Sequence, residues 1–216
     1  MNTEEEKRLA ADAAAELIEA NSRVGLGTGT TVAYLLEAIA RRGVTARYVA
    51  TSPGTADAAR ALGIVVESFD GLDELDLAID GADQIAPDGW LVKGRGGAHL
   101  REKVVAASAR RFVVIADSSK PVASLHPPVP LELHHFGLRA TLRELGSVTV
   151  RDAERSPDGG VLADYHGAVD DPRALAVRLA STPGISAHGL FAPELVSDII
   201  VATGKTVTTT TLGGPR

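Results

Sequence analysis

Apolar residues recur along the first half of the chain at two alternating periods, and that alternation sets the expected elements. Leu9, Ala13, Leu17 and Ala20 fall at helical spacing over residues 3–20, and residues 23–26 then read as a short buried strand. Residues 31–41 resume the helical period, with Val32, Leu35, Leu36 and Ile39 on one face. Residues 46–50 predict a strand, 55–62 a helix, 65–67 a strand, and 75–79 a strand running into Asp80-Gly81-Ala82-Asp83. A helix over 101–109 leads into residues 112–116, apolar at every position as a strand buried on both faces must be. Strand and helix in alternation mark βαβ units, so the expected class is α/β, an open, mostly parallel, Rossmann-like sheet.

The proline-rich stretch 121–130 changes the organisation. Beyond it come a strand at 131–136, a helix at 138–145, a hairpin of 148–153 and 161–165, a helix at 172–180 and a strand at 185–190. That order, βαββαβ, is the split-βαβ plan of a small ferredoxin-like α+β domain. Strands at 198–202 and 206–212, joined by Thr203-Gly204-Lys205, are expected to return to the first sheet. Two domains follow: residues 1–127 with 198–216 as the catalytic sheet domain, and 128–197 as an inserted lid or oligomer contact.

Composition narrows the function. With 216 residues, 44% of them hydrophobic and 23% charged, the chain can bury a substantial core. No apolar run approaches the roughly 20 residues that cross a bilayer. The N-terminal stretch is acidic and amphipathic rather than signal-like, so no membrane and a cytoplasmic location are expected. The absence of cysteine excludes disulfides and thiolate chemistry. A net charge of -6 argues against nucleic acid as a partner, because phosphate-backbone binding needs clustered cations.

Three motifs carry candidate chemistry. Gly25-Leu26-Gly27-Thr28-Gly29-Thr30-Thr31 lies between a strand and a helix, where glycines let backbone approach an anion and N–H and hydroxyl groups donate to phosphate oxygens. A structural turn is the other reading. Neither the dinucleotide fingerprint nor a P-loop is met, since Thr30 replaces the third glycine and no lysine follows. Asp80-Gly81-Ala82-Asp83 follows a strand at the sheet edge where ligands bind, and is either a carboxylate pair for a polar ligand or an Asx-type turn. Lys93-Gly94-Arg95-Gly96-Gly97-Ala98-His99 runs into Leu100-Arg101-Glu102-Lys103. A cation and a carboxylate within ten residues suit proton abstraction beside a carbonyl, whereas a solvated lysine and a first-turn helix acid are the plain alternative.

These segments, together with Ile115-Ala116-Asp117-Ser118-Ser119-Lys120 and the late Gly189-Leu190-Phe191-Ala192, resemble in order and spacing those of type A ribose 5-phosphate isomerase. The resemblance covers essentially the whole chain. It implies an enzyme that interconverts ribose 5-phosphate and ribulose 5-phosphate in the pentose phosphate pathway, with no cofactor and no metal, as a homodimer or homotetramer. It also implies roles by position: Glu102 as base, Asp80 in ring opening and Lys93 at the reacting oxygen. Substrate contacts would come from Thr28, Gly29, Thr30, Thr31, Asp80, Gly81, Ala82, Asp83, Lys93, Gly94, Arg95, Gly96 and Lys120.

Gln84, Arg95 and His99 depart from the family pattern, which has an acid at the first position and glycine at the second. Arg95 either contacts ligand or points outward. A paralogue acting on a related sugar phosphate is therefore an alternative. A non-catalytic sugar-phosphate sensor lacks room before residue 23 for a DNA-binding module, and a coenzyme A transferase would use a glutamate as nucleophile. His134, His135 and His166 read as structural or interfacial.

Overall fold

Val24, Leu26, Leu35, Leu36, Ile79, Val113, Ile115 and Ile200 are fully buried and form the heart of the larger of two cores. A computed structural model describes residues 2–214. In chain order its elements begin α1 (Thr3–Ala15), β1 (Arg23–Leu26), α2 (Thr30–Arg42), β2 (Arg47–Ala50), α3 (Pro53–Ala61), β3 (Val66–Glu67) and β4 (Leu77–Gly81). They continue with β5 (Gln84–Ile85), β6 (Leu91–Val92), α4 (His99–Ala107), β7 (Phe112–Asp117), β8 (Val129–Leu133), α5 (Leu138–Leu145) and β9 (Val148–Val150). The last are β10 (Val161–Tyr165), α6 (Pro172–Ser181), β11 (Ile185–His188), β12 (Leu190–Phe191), β13 (Asp198–Thr203) and β14 (Thr206–Thr211).

The chain divides into two units. The first holds the residues up to Ala82, Arg101–Lys120 and the residues from Pro193 on; the second holds Asp83–Leu100 and Pro121–Ala192.

The first unit is built on a seven-stranded sheet of order β14-β13-β7-β4-β1-β2-β3. Every neighbouring pair is parallel except β13 with β14. The order β3-β2-β1-β4-β7-β13 is that of a doubly wound sheet, and it reverses between β1 and β4. Local signals start and stop the helices. Ser52 caps α3 by accepting from the Thr55 amide, with Pro53 in its first turn, and Gly43 in the left-handed region ends α2. α1 stops at Ala15 rather than Ala20. Past that point the hydrogen bonds tighten, Leu17 to Ala14 and Ile18 to Ala15, and the Arg42 guanidinium also donates to the Ala15 carbonyl.

The second unit contains a four-stranded antiparallel sheet of order β11-β8-β10-β9, flanked in sequence by α5 and α6. With strands counted along the chain this is 4-1-3-2, the split-βαβ plan. The unit also contains a three-stranded sheet, β12-β6-β5, which periodicity does not predict. Two-residue strands are too short to show a period. Because β12 pairs with β6, Asp83–Leu100 belongs to this unit, which is thus larger than the expected 128–197.

The single strand expected at 185–190 is two. Gly189 donates to the Pro130 carbonyl and accepts from the Lys93 amide, so the chain leaves one sheet at His188 and enters the other at Leu190.

Candidate active site

In the first unit, β1 and β4 bring their carboxyl ends side by side at the reversal of strand order, where open α/β sheets present ligands. Asp80, the penultimate residue of β4, is almost wholly buried. Its Oδ1 accepts from the amides of Thr28 at 3.1 Å and Gly81 at 2.7 Å. A Cβ on Gly27 would strike the Asp80 carboxyl, so the glycine makes room for the carboxylate under the turn. Thr28 Oγ1 lies 2.8 Å from Thr51 Oγ1, and Thr55 Oγ1 donates to the Gly27 carbonyl at 2.9 Å. Hydroxyl groups from the residue after β2 and from α3 thereby fix the β1–α2 turn.

Gly29, at φ +124°, enters α2 and supplies no side-chain cap. The first amides of α2 have no acceptor four residues earlier, and no acid occupies its first turn, so this helix start suits an anion. Thr30 is exposed there and Thr31 buried.

Lys120, half-buried, closes the turn after β7 by donating its amide to the Asp117 carbonyl. The Glu6 carboxylate of α1 braces the same turn, accepting from Ser118 N and Oγ and from the Gly204 amide. Those bonds, the Ser118 hydroxyl's first, hold Glu6 below the usual carboxylate range.

Glu102 sits in the first turn of α4 and is only 4% exposed, which removes the solvated-acid alternative. Its neighbour Lys103 is pushed down to about 7 by burial. Sequence alone treats Lys103 as an ordinary helix lysine, and only packing distinguishes it.

In the second unit, Lys93 follows β6, is 3% exposed, and carries its Nζ 5.4 Å from the centroid of the Phe191 ring. It is not a solvated end-of-strand lysine. Gly94, at φ +109°, lies against the buried His99 ring, and any Cβ there would come within 2.7 Å of Nδ1. The unusual His99 is therefore a packing partner of the loop.

Asp83 Oδ2 accepts from the Arg95 amide at 3.0 Å. The Arg95 side chain itself is 82% exposed, with Nε 3.8 Å from Asp83 Oδ1. Gln84 uses both ends of its amide on His126, donating to its carbonyl at 2.8 Å and accepting from its N–H at 2.9 Å. A carboxylate could not make both bonds. Among the described residues no group of three or more His, Asp or Glu is placed to hold a metal ion.

The model of the ribose 5-phosphate isomerase A (phosphoriboisomerase A) family matches residues 47–206. The chain belongs to that family. A ribose-5-phosphate isomerase A of Caulobacter sp. (strain K31) is 40% identical over 96% of this chain and 98% of its own length. One of Haloarcula marismortui is 43% identical over 95% of each. Among solved structures, ribose 5 phosphate isomerase A from Neisseria gonorrhoeae superposes with a TM-score of 0.93 at 31% identity, covering 97% of both chains. A D-ribose-5-phosphate isomerase in complex with phospho-erythronic acid gives 0.90 at 32% identity, covering 98% of this chain and 100% of that one. As a ribose 5-phosphate isomerase A, the chain is an aldose–ketose isomerase interconverting ribose 5-phosphate and ribulose 5-phosphate.

Proposed function

We propose that Glu102 is the base of this isomerisation and that Lys93 and Asp80 complete its proton chemistry. The observation that carries the reading is a buried carboxylate, Glu102, nine positions after a buried ammonium, Lys93. Neither residue type is ordinarily buried unless it is paired or functional, and such groups concentrate at active sites. The phospho-erythronic acid complex of the relative supports a phosphorylated, polyhydroxylated ligand here.

Ribose 5-phosphate is mostly cyclic. Asp80, anchored through Oδ1, relays the O1 hydroxyl proton to the ring oxygen as the bond from C1 to that oxygen breaks, which frees the aldehyde. Glu102 then removes the C2 proton, and Lys93 stabilises negative charge on the carbonyl oxygen as the cis-enediol forms. The same carboxylic acid returns its proton to C1 while the O2 proton passes to O1, giving the ketose. Thr28, Gly29, Thr30 and Thr31, with Lys120, hold the phosphate, and Gly81, Ala82, Asp83, Gly94 and Gly96 meet the sugar.

A homodimer or homotetramer acting in the cytoplasm in the pentose phosphate pathway belongs to the same proposal, and light scattering reads the assembly. The central test is Glu102→Gln, which keeps shape and removes the base. Its kcat should fall by about 10²- to 10⁴-fold while phospho-erythronic acid still binds. Turnover within a few-fold of the parent removes Glu102 from the mechanism.

A further inference from the structure

Arg151, just past β9, and Asp164, in β10, make a fork of two hydrogen bonds, Nε to Oδ2 at 2.8 Å and Nη2 to Oδ1 at 2.7 Å. Their side chains are 16% and 23% exposed. A pair serving only to join two strands would end there. The remaining nitrogen, Nη1, instead donates to the carbonyl oxygens of Gly94 at 3.0 Å and Arg95 at 3.1 Å, more than fifty residues away in sequence.

We infer that Arg151, oriented by Asp164, is a positioning residue that sets the peptide planes of the Gly94–Gly96 loop for the reaction. The inference rests on the reading that this loop, with Lys93, meets the reacting end of the sugar.

In a planar trans peptide the N–H points opposite to the C=O. Holding the Gly94 carbonyl therefore turns the Arg95 amide away from Arg151, and that amide is the one that donates to Asp83 Oδ2. Holding the Arg95 carbonyl turns the Gly96 amide the same way. Glycines at 94, 96 and 97 give this segment wide conformational freedom, and its own turn bond, from the Gly97 amide to the Gly94 carbonyl at 3.0 Å, leaves the Arg95 carbonyl to be held from outside. The guanidinium supplies it with a rigid, always charged fork that lysine cannot copy. Leu162, two residues before Asp164 in β10, adds a second restraint, since it packs where a Cβ on Gly97 would stand. Donors fixed before substrate arrives lower the barrier without reorganising during the reaction.

The test compares steady-state kinetics of the full chain with Arg151→Met, which keeps the stem and loses the donors, and with Arg151→Ala, with and without added methylguanidinium. The expected result for Arg151→Met is kcat lowered about 10- to 100-fold, the scale of a misplaced reacting group, with KM changed much less. Methylguanidinium should restore part of the kcat of Arg151→Ala in a saturable way, which a lost strand-to-strand tie would not allow. Should both fail to fold, Asp164→Asn decides, with a several-fold fall in kcat expected. A kcat within twofold of the parent, or a rise in KM alone, overturns the positioning role. Glu102→Gln run beside them separates the two readings: its normal turnover defeats the assignment of the reacting end, whereas normal kcat in the Arg151 variants beside an inactive Glu102→Gln defeats only the positioning role.

Discussion

Arg95 is the residue at which bulk and charge enter an otherwise glycine-rich loop. Its amide is tied to Asp83 and its carbonyl to Arg151, yet the guanidinium is 82% exposed. Both backbone bonds survive any side chain, so Arg95→Gly keeps the loop's tethers and removes only an exposed cation. A guanidinium cannot act as a base either. The expected outcome for Arg95→Gly is a kcat for ribose 5-phosphate within about threefold of the parent, exposed side chains having small effects. Any change should appear in KM or in the ranking of other aldose phosphates. Measuring kcat/KM across such a panel checks this, and a uniform loss of kcat at unchanged KM would place Arg95 among the reacting groups.

At the scale of elements, small residues decide how closely helices approach the sheet. Gly25 in β1 is one: a Cβ there would collide with Val105 of α4 and crowd Leu75 and Ala78. Gly25→Ala must push α4, and with it Glu102, off the strand. Overpacking of this kind costs about 1–3 kcal/mol, so a lowered melting temperature together with lowered kcat is expected. Unchanged melting and kcat would show that the helix has slack.

Elements of four or more residues with a clear period were legible in the chain: β1, α2, β7, α5 and both strands of the final hairpin lie within a residue or two of expectation. The two-residue strands β5, β6 and β12 were not, because pairing partners rather than local pattern define them. The site divides the same way. Residue types and spacing point to Asp80, Lys93 and Glu102, but the burial of the last two, the exposure of Arg95 and the reach of Arg151 depend on long-range packing that no local signal encodes.

At the scale of the whole molecule, burial of Lys103 links stability to pH. Its folded-state value of about 7 lies below the roughly 10.4 of an unfolded lysine. Between those values the unfolded chain holds a proton that the folded chain has released, so this residue makes stability rise with pH across that window and adds no slope below it. Urea melts of the parent and of Lys103→Met at pH 6, 8 and 9.5 isolate the effect: the parent should gain on the variant as pH rises. A difference that stays constant with pH would mean that Lys103 keeps its proton in the fold.

The interleaving of the two units has a consequence for synthesis. The chain passes between them four times, and the larger sheet is completed only by β13 and β14, which pair next to β7 after an excursion of some eighty residues. On the ribosome β7, apolar at nearly every position, emerges with one edge unpaired and stays so until residue 203 has been made. At about 5–20 residues per second that interval lasts several seconds, and the nascent chain must be kept from associating through that edge while it lasts.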